Sequence, residues 1–399
     1  MDASDPKEDE SFVQETNQRM LTECITAYGS KRHRQLTLMR VIRGIFCLVM
    51  LLSTACMLLI YCAPVLSLLL RPFSVHYSRQ AIAFLFGTWL SMWPFLFEKI
   101  NRTKVVFSGD RVPSKERVLL FANHRTEVDW MYLWNLALRK GCLGSIKYVL
   151  KSSLMKLPVF GWGFHILEFI SVERKWEIDE PRMLKKLSTF KDAKDPLWLV
   201  VFPEGTDYTE QKCIRSQMYA AENNLPILRN VLLPKTKGFY ACLETLRESL
   251  DAVYDITITY KHRYPNFLDN AFGVDPAEVH INIQRILPRE IPKSENDVST
   301  WLMERFRFKD QLLTDFAHIG CFPSGGIEGD LSTFSCLVKA ISIICCTCIF
   351  IYLTFSLAFG FKVFVPLSMA YLSCVTYFDV QPTLVLGSFR SLMCTKKKP

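Results

Sequence analysis

The chain has 399 residues, half of them hydrophobic and 13% aromatic, which is rich for a soluble enzyme and lean for a transporter made mostly of spans. Its formal charge of +9 gathers beside apolar segments, with Lys31, Arg32, Arg34, Arg40 and Arg43 before the first and Lys396, Lys397 and Lys398 at the end. That placement suits anionic lipid headgroups and, without a recognised nucleic-acid motif, argues against a nucleic-acid partner.

Residues 1–43 read as a polar, cytosolic N-terminal segment with no apolar stretch near Met1, so no cleaved signal peptide is expected. Residues 44–100 form an N-terminal membrane region. Gly44 to Leu70 carries no charge and is long enough for a tilted transmembrane helix, with Pro64 as a possible kink. Gln80 to Phe97, with Trp89, Trp93 and Pro94, reads either as a second span with an interfacial aromatic end or as a re-entrant limb. Residues 101–325 have ordinary globular composition, enough for one core, and 326–399 form a C-terminal membrane region with apolar blocks at Ala340 to Phe361 and Val363 to Phe378. Two to four spans are expected in all.

The basic flank before Gly44 should stay in the cytosol. With each apolar pair a hairpin, the middle domain and the C-terminus are cytosolic too. Lys396-Lys397-Lys398-Pro399 fits a dilysine retrieval address, which predicts a multi-pass protein of the endoplasmic reticulum membrane; the plainer alternative is a basic juxtamembrane stretch. Asn101-Arg102-Thr103 is a glycosylation sequon by pattern, and glycosylation there would contradict this topology. Most of the 14 cysteines lie in or beside apolar blocks, where they act as small hydrophobes. Cys345 to Cys348 has C-x-x-C spacing but no second pair and no nearby histidine, so no metal site is expected.

The middle domain has an α/β rhythm. Val118 to Ala122, Glu168 to Val172, Leu197 to Phe202, Ile227 to Leu233, Val253 to Tyr260 and Val279 to Ile286 predict strands. Val128 to Lys140, Met183 to Lys191, Glu210 to Asn223 and Gly238 to Asp251 predict helices packed on the sheet. Gly325-Gly326-Ile327-Glu328-Gly329 reads as a linker.

Two strand ends carry the chemistry. The run Val118 to Ala122 delivers Asn123 and His124 to a sheet edge, and a tight turn can fold Asp129 back toward His124. A carboxylate on one ring nitrogen fixes the tautomer and leaves the other nitrogen to take a proton from a substrate hydroxyl. No Gly-x-Ser-x-Gly elbow is present, so direct attack by an external alcohol on an activated acyl group fits better than an acyl-enzyme. Phe202-Pro203-Glu204-Gly205-Thr206 follows a second apolar run and should open at the same edge. There Gly205 allows close backbone approach and Glu204 can accept from a polyol hydroxyl. Read structurally, the same residues are a satisfied turn histidine and a strand-to-helix turn.

Together these residues resemble the glycerolipid acyltransferase family, over roughly residues 105 to 290. Asn123-His124 with Asp129 looks like the family's first block, Phe169 to Arg174 its second, Phe202 to Thr206 its third, and Val231-Leu232-Leu233-Pro234 its fourth. The fold implied is a membrane-associated mixed sheet flanked by helices, with transmembrane helices at both ends. The resemblance implies that His124 deprotonates the free sn-2 hydroxyl of lysophosphatidate, which attacks acyl-CoA, while Asp129 orients and charge-compensates the ring. It also implies that Arg174 and Lys151 hold phosphate, and that Asn123, Glu204, Gly205 and Thr206 shape the acceptor pocket. Acyl-CoA is then a co-substrate, no metal or organic cofactor is needed, and the partners are acyl-CoA, a lysophospholipid and membrane lipids.

One position departs from the pattern. Many members carry arginine after Glu-Gly-Thr, a second phosphate ligand, whereas this chain has Asp207. Either Lys212 or Arg215 takes its place or the acceptor headgroup differs, as in the branch resembling lysocardiolipin and lysophosphatidylinositol acyltransferases. A silent lipid-binding scaffold and a hydrolase of acyl-CoA are the alternatives from other classes. The segment Tyr148 to Ile170, with lysines among apolar residues, reads either as an interfacial surface or as core; His165 within it reads as a satisfied histidine.

Overall fold

The computed structural model describes residues 34–378 except 324, 326, 327, 357 and 358; the dilysine tail, Lys31 and Arg32 lie outside these, as does part of the glycine-rich linker. In chain order it contains helices α1 (Leu38–Tyr61) and α2 (Val75–Leu90), strands β1 (Lys104–Gly109) and β2 (Val118–Ala122), and α3 (Asp129–Arg139). There follow β3 (Ile146–Lys151), α4 (Phe160–Ile166), β4 (Ile170–Val172), α5 (Trp176–Ser188), β5 (Trp198–Val201), α6 (Glu210–Glu222) and α7 (Thr236–Leu246). The chain ends with β6 (Ala252–Lys261), α8 (Phe267–Phe272), β7 (Glu278–Ile286), α9 (Glu295–Ile319), α10 (Thr333–Ser356) and α11 (Phe359–Tyr377).

The sheet runs β1-β7-β6-β2-β5-β3-β4. All neighbours are parallel except β6 and β7, so β6, β2, β5, β3 and β4 point the same way and share one C-terminal edge. Strands β2 and β5 are buried throughout, which explains their unbroken apolar runs: both faces are covered. Alternate side chains serve two cores. Val118 and Leu120 pack with Tyr132, Ile258 and the apolar helices, while Leu119 and Phe121 pack with Phe239, Leu243 and Phe306 on the other face.

Helix α1, capped by Thr37, runs on past Pro64 through a π-helical stretch to Leu70, and α2, capped by Ser74, returns antiparallel to it. The pair is tied to the domain at both ends. At its foot, Arg40 donates to the Gly273 carbonyl at 2.7 Å and Arg43 to Asn101 Oδ1 at 2.9 Å. At its tip, Arg71 and Arg79 bind the buried carboxylate of Glu168, and Arg79 also reaches Asp195 at 2.7 Å. Between them α2 presses on the loop before β3, where a β-carbon on Gly144 would stand 1.7 Å from the Ala83 carbonyl oxygen, so only glycine fits.

Helices α10 and α11 pack on this pair. Phe350 stacks on Tyr61 with centroids 4.6 Å apart, and Tyr371 bonds Ser67 at 3.1 Å. Their outer faces, like those of α1 and α2, expose large apolar side chains such as Phe46, Phe84, Phe334, Phe355 and Tyr377. Three helical stretches, Leu38–Leu70, Val75–Ile100 and Thr333–Ser356, are long and apolar enough to cross a membrane. The exposed apolar surface is that of a protein associated with a bilayer.

Several expectations are corrected. Ile227 to Leu233 is not a strand: its amides are taken by side chains, Leu232 N–H by Glu204 and Leu233 N–H by Ser216. Strands β1 and β3 and the 25-residue α9, capped by Ser294 and closed by left-handed Gly320, were not anticipated. Helix α5 begins at Trp176, ahead of Pro181. The sequon asparagine, Asn101, is buried and its amide donates to the Asn270 carbonyl at 2.8 Å, so the folded domain offers no glycosylation site there. Among the described residues the cysteines are free and no group of side chains is arranged to hold a metal ion.

Candidate active site

The shared C-terminal edge gathers His124 after β2, Phe202 to Thr206 after β5, Lys151 at the end of β3 and Arg174 after β4. Asp129 opens α3, where a carboxylate is favoured by the helix dipole, and the intervening turn brings its Oδ2 to 3.0 Å from His124 Nδ1. The carboxylate is wholly buried and accepts three further bonds, from Thr126 N–H at 2.8 Å, the Thr126 hydroxyl at 3.1 Å and the Tyr260 hydroxyl at 2.6 Å. A carboxylate with this many donors is held in one orientation.

Burial disfavours the His124 cation, but the bond to Asp129 and its charge, with smaller contributions from Glu204 and Asp207, outweigh it and raise the imidazole pKa above its ordinary value. The ring lies on Phe202, centroids 4.5 Å apart. With Nδ1 taken by Asp129, Nε2 is the nitrogen left to act on a substrate.

Three residues expected in the substrate pocket are not on its wall. The Asn123 side chain exchanges two bonds with the backbone of Ile258, at 3.0 and 2.8 Å, and so pins the end of β2 to β6. The Glu204 carboxylate accepts the backbone N–H of His124 at 2.8 Å and that of Leu232 at 3.0 Å, which leaves it holding the histidine's peptide in place instead of meeting a polyol. Burial pushes the Glu204 pKa up to about 7, against the pull of those two amides. Arg215 lies exposed on α6, away from the cavity, because its position on the helix turns it outward.

Glu204→Ala should leave two buried amides without an acceptor, at about 1–3 kcal/mol each. It is expected to destabilise the domain by roughly 2–6 kcal/mol, read from the denaturation midpoint in detergent; Glu204→Gln, which keeps a carbonyl, should cost less.

The remaining residues meet in one cavity of about 830 Å³, where His124, Lys151, Arg174, Gly205 and Thr206 line the polar end. Arg174 sits at a φ of +66°, a left-handed conformation held by the buried Asp179, which accepts from Glu173 N–H at 2.7 Å and Lys175 N–H at 3.0 Å. The apolar remainder lies between the domain and the first helix pair, walled by Leu59, Phe86, Trp89, Trp93, Trp130 and Phe164. Asp207 also lines it, but its carboxylate is engaged by Lys212 at 2.8 Å and Thr206 at 3.0 Å; burial favours the neutral acid, and these bonds hold its pKa below the usual range. Two further cations, Lys235 and Lys237 at the start of α7, line the cavity and escaped sequence reasoning, as did Tyr260, Thr126 and Asp179. Thr126 lies inside the His124 to Asp129 motif and Lys235 directly after Pro234, so proximity to the motifs was the available signal.

A family model described as acyltransferase matches residues 104–261, and one described as acyltransferase C-terminus matches 271–342. The chain is 58% identical to probable 1-acyl-sn-glycerol-3-phosphate acyltransferase 5 of Arabidopsis thaliana, over 87% of this chain and 93% of that one. It is 39% identical to lysocardiolipin acyltransferase 1 of Gallus gallus, over 60% and 65% of the two chains. The crystal structure of the 1-acyl-sn-glycerophosphate (LPA) acyltransferase PlsC from Thermotoga maritima covers 67% of this chain and 97% of its own at 18% identity and a TM-score of 0.39, too low to argue from. With two family models matched in series and a relative of 58% identity aligned over nearly its whole length, the chain belongs to the acyltransferase family.

Proposed function

We propose that the protein transfers an acyl group from acyl-CoA to the free sn-2 hydroxyl of lysophosphatidate, giving phosphatidate and CoA. The observation that carries this is the His124–Asp129 pair at the polar end of a cavity whose other end is apolar and whose mouth holds cations. An acyl chain fits the apolar end, an acceptor hydroxyl meets His124, and phosphate oxygens meet Arg174 and Lys151. Guanidinium and ammonium groups suit phosphate as fork and point charge respectively.

In this scheme the hydroxyl oxygen attacks the thioester carbonyl carbon while His124 Nε2 takes its proton. The tetrahedral intermediate then collapses, the C–S bond breaks, and the imidazolium returns the proton to the departing thiolate. Asp129 stabilises the imidazolium between these steps, and Glu204 keeps the His124 peptide in register. Gly205 and Thr206 border the acceptor. The membrane is that of the endoplasmic reticulum and the domain faces the cytosol, a placement that rests on the terminal lysines and the basic flank of α1.

Asp207 favours a second acceptor class, lysocardiolipin or lysophosphatidylinositol, as the next reading. Purified protein in phosphatidylcholine vesicles, given one labelled acyl-CoA and a panel of lysolipids, decides between them. Fastest transfer to lysophosphatidate is expected; preference for another lysolipid moves the headgroup, CoA release without an acceptor indicates a hydrolase, and no turnover leaves a silent lipid-binding protein.

A further inference from the structure

We propose that the ammonium of Lys235 binds the acceptor's phosphate, taking the place of the arginine that the family resemblance puts where this chain has Asp207. The inference rests on the acyltransferase reading above and adds a specificity-determining residue to it.

Lys235 enters through the backbone. Its N–H donates to the Pro203 carbonyl at 2.7 Å, which lays the start of α7 against the turn after β5. The side chain then folds back over Gly205: a β-carbon on that glycine would stand 3.3 Å from Lys235 Cδ and 3.4 Å from Nζ. Gly205, at a φ of +71°, is thus both the bend of the turn and the floor under the ammonium. Lys235 lines the same cavity as His124, and its Nζ has no hydrogen-bond or ion-pair partner among the described residues.

Of the other cations near this turn, two are excluded by geometry, and Lys237, which also lines the cavity, lies two residues farther into α7. Lys212 Nζ is committed to Thr206 Oγ1 at 2.9 Å and to Asp207 Oδ1 at 2.8 Å, and Arg215 lies outside the cavity. Engaged in this way, Asp207 turns its charge toward α6 and not toward an incoming anion.

Spacing along the sheet edge then decides which free cation lies closest to the reacting hydroxyl. Neighbouring strands are about 4.8 Å apart, so in the order β2-β5-β3-β4 the ends of β5, β3 and β4 stand roughly 5, 10 and 14 Å from the end that carries His124. In a lysophosphatidate the phosphorus is four covalent bonds from the sn-2 oxygen, about 5 Å at most. With the hydroxyl at His124, the phosphate falls over the end of β5, where Lys235 lies. Lys151 and Arg174 reach it from farther strands, so the near contact belongs to Lys235.

The test uses full-length protein in phosphatidylcholine vesicles, with lysophosphatidate and acyl-CoA varied separately. Lys235→Gln is expected to raise the lysophosphatidate KM by about 10- to 100-fold, the range of one charge-assisted hydrogen bond, and to leave the acyl-CoA KM unchanged. Lys235→Arg should restore most of the loss. An unchanged lysophosphatidate KM overturns the proposal, and so does a rise confined to acyl-CoA, which would assign the ammonium to the coenzyme's phosphates. Equilibrium binding of lysophosphatidate to His124→Ala protein with and without Lys235→Gln reads the same contact without turnover. Wild-type protein that acylates no lysophosphatidate would sink the proposed activity, while this binding comparison would still decide on Lys235.

Discussion

His124→Ala is expected to lower acyl transfer by at least about 10²- to 10⁴-fold, the usual contribution of a positioned general base. The protein should nevertheless fold, because the imidazole is partly exposed and its loss leaves Asp129 with the Thr126 amide, the Thr126 hydroxyl and Tyr260 as donors. Initial rates in vesicles, paired with a thermal midpoint, separate these effects. A normal midpoint with activity within tenfold of wild type would remove His124 from the chemistry. Glu204→Ala is the useful contrast, since there the fold itself is expected to weaken.

Asp129→Asn should cost a comparable factor, about 10²- to 10⁴-fold, by another route. Four donors converge on the carboxylate, and an amide offers one oxygen and an NH₂ group that must face a donor. The ring then loses its fixed tautomer and its counter-charge. The pH profile is the sharper test. A base works when neutral, so the rate climbs as pH rises through the His124 pKa, which Asp129 lifts above its ordinary value against the effect of burial. Removing that charge while burial stays should move the rising limb to lower pH, together with a lower plateau. A limb that does not move would mean that the titrating group is not the imidazole paired with Asp129.

Much of this site is legible in the sequence because its key elements are local. Four residues separate His124 from Asp129, a tight turn closes that gap, and two apolar runs announce the strands that lead to His124 and Glu204. What stayed hidden depends on the sheet order. Tyr260 touches Asp129 because β6 lies beside β2, and Lys235 meets Gly205 because α7 starts against the turn after β5. Glu204 looked like a ligand for a hydroxyl, yet its two oxygens serve two amides from segments distant in sequence. Ile227 to Leu233 has strand composition, but no neighbouring strand is there to take its backbone bonds. Strand β1, short and charged at Lys104, is defined by its pairing with β7 and not by an apolar pattern of its own.

The first helix pair holds the same domain with its foot, through Arg40 and Arg43, and with its tip, through Arg71 and Arg79. Clamped at both ends, the pair moves with the domain as one body, so a tilt or shift of these helices in the bilayer passes directly to the cavity wall formed by Leu59, Phe86 and Trp89.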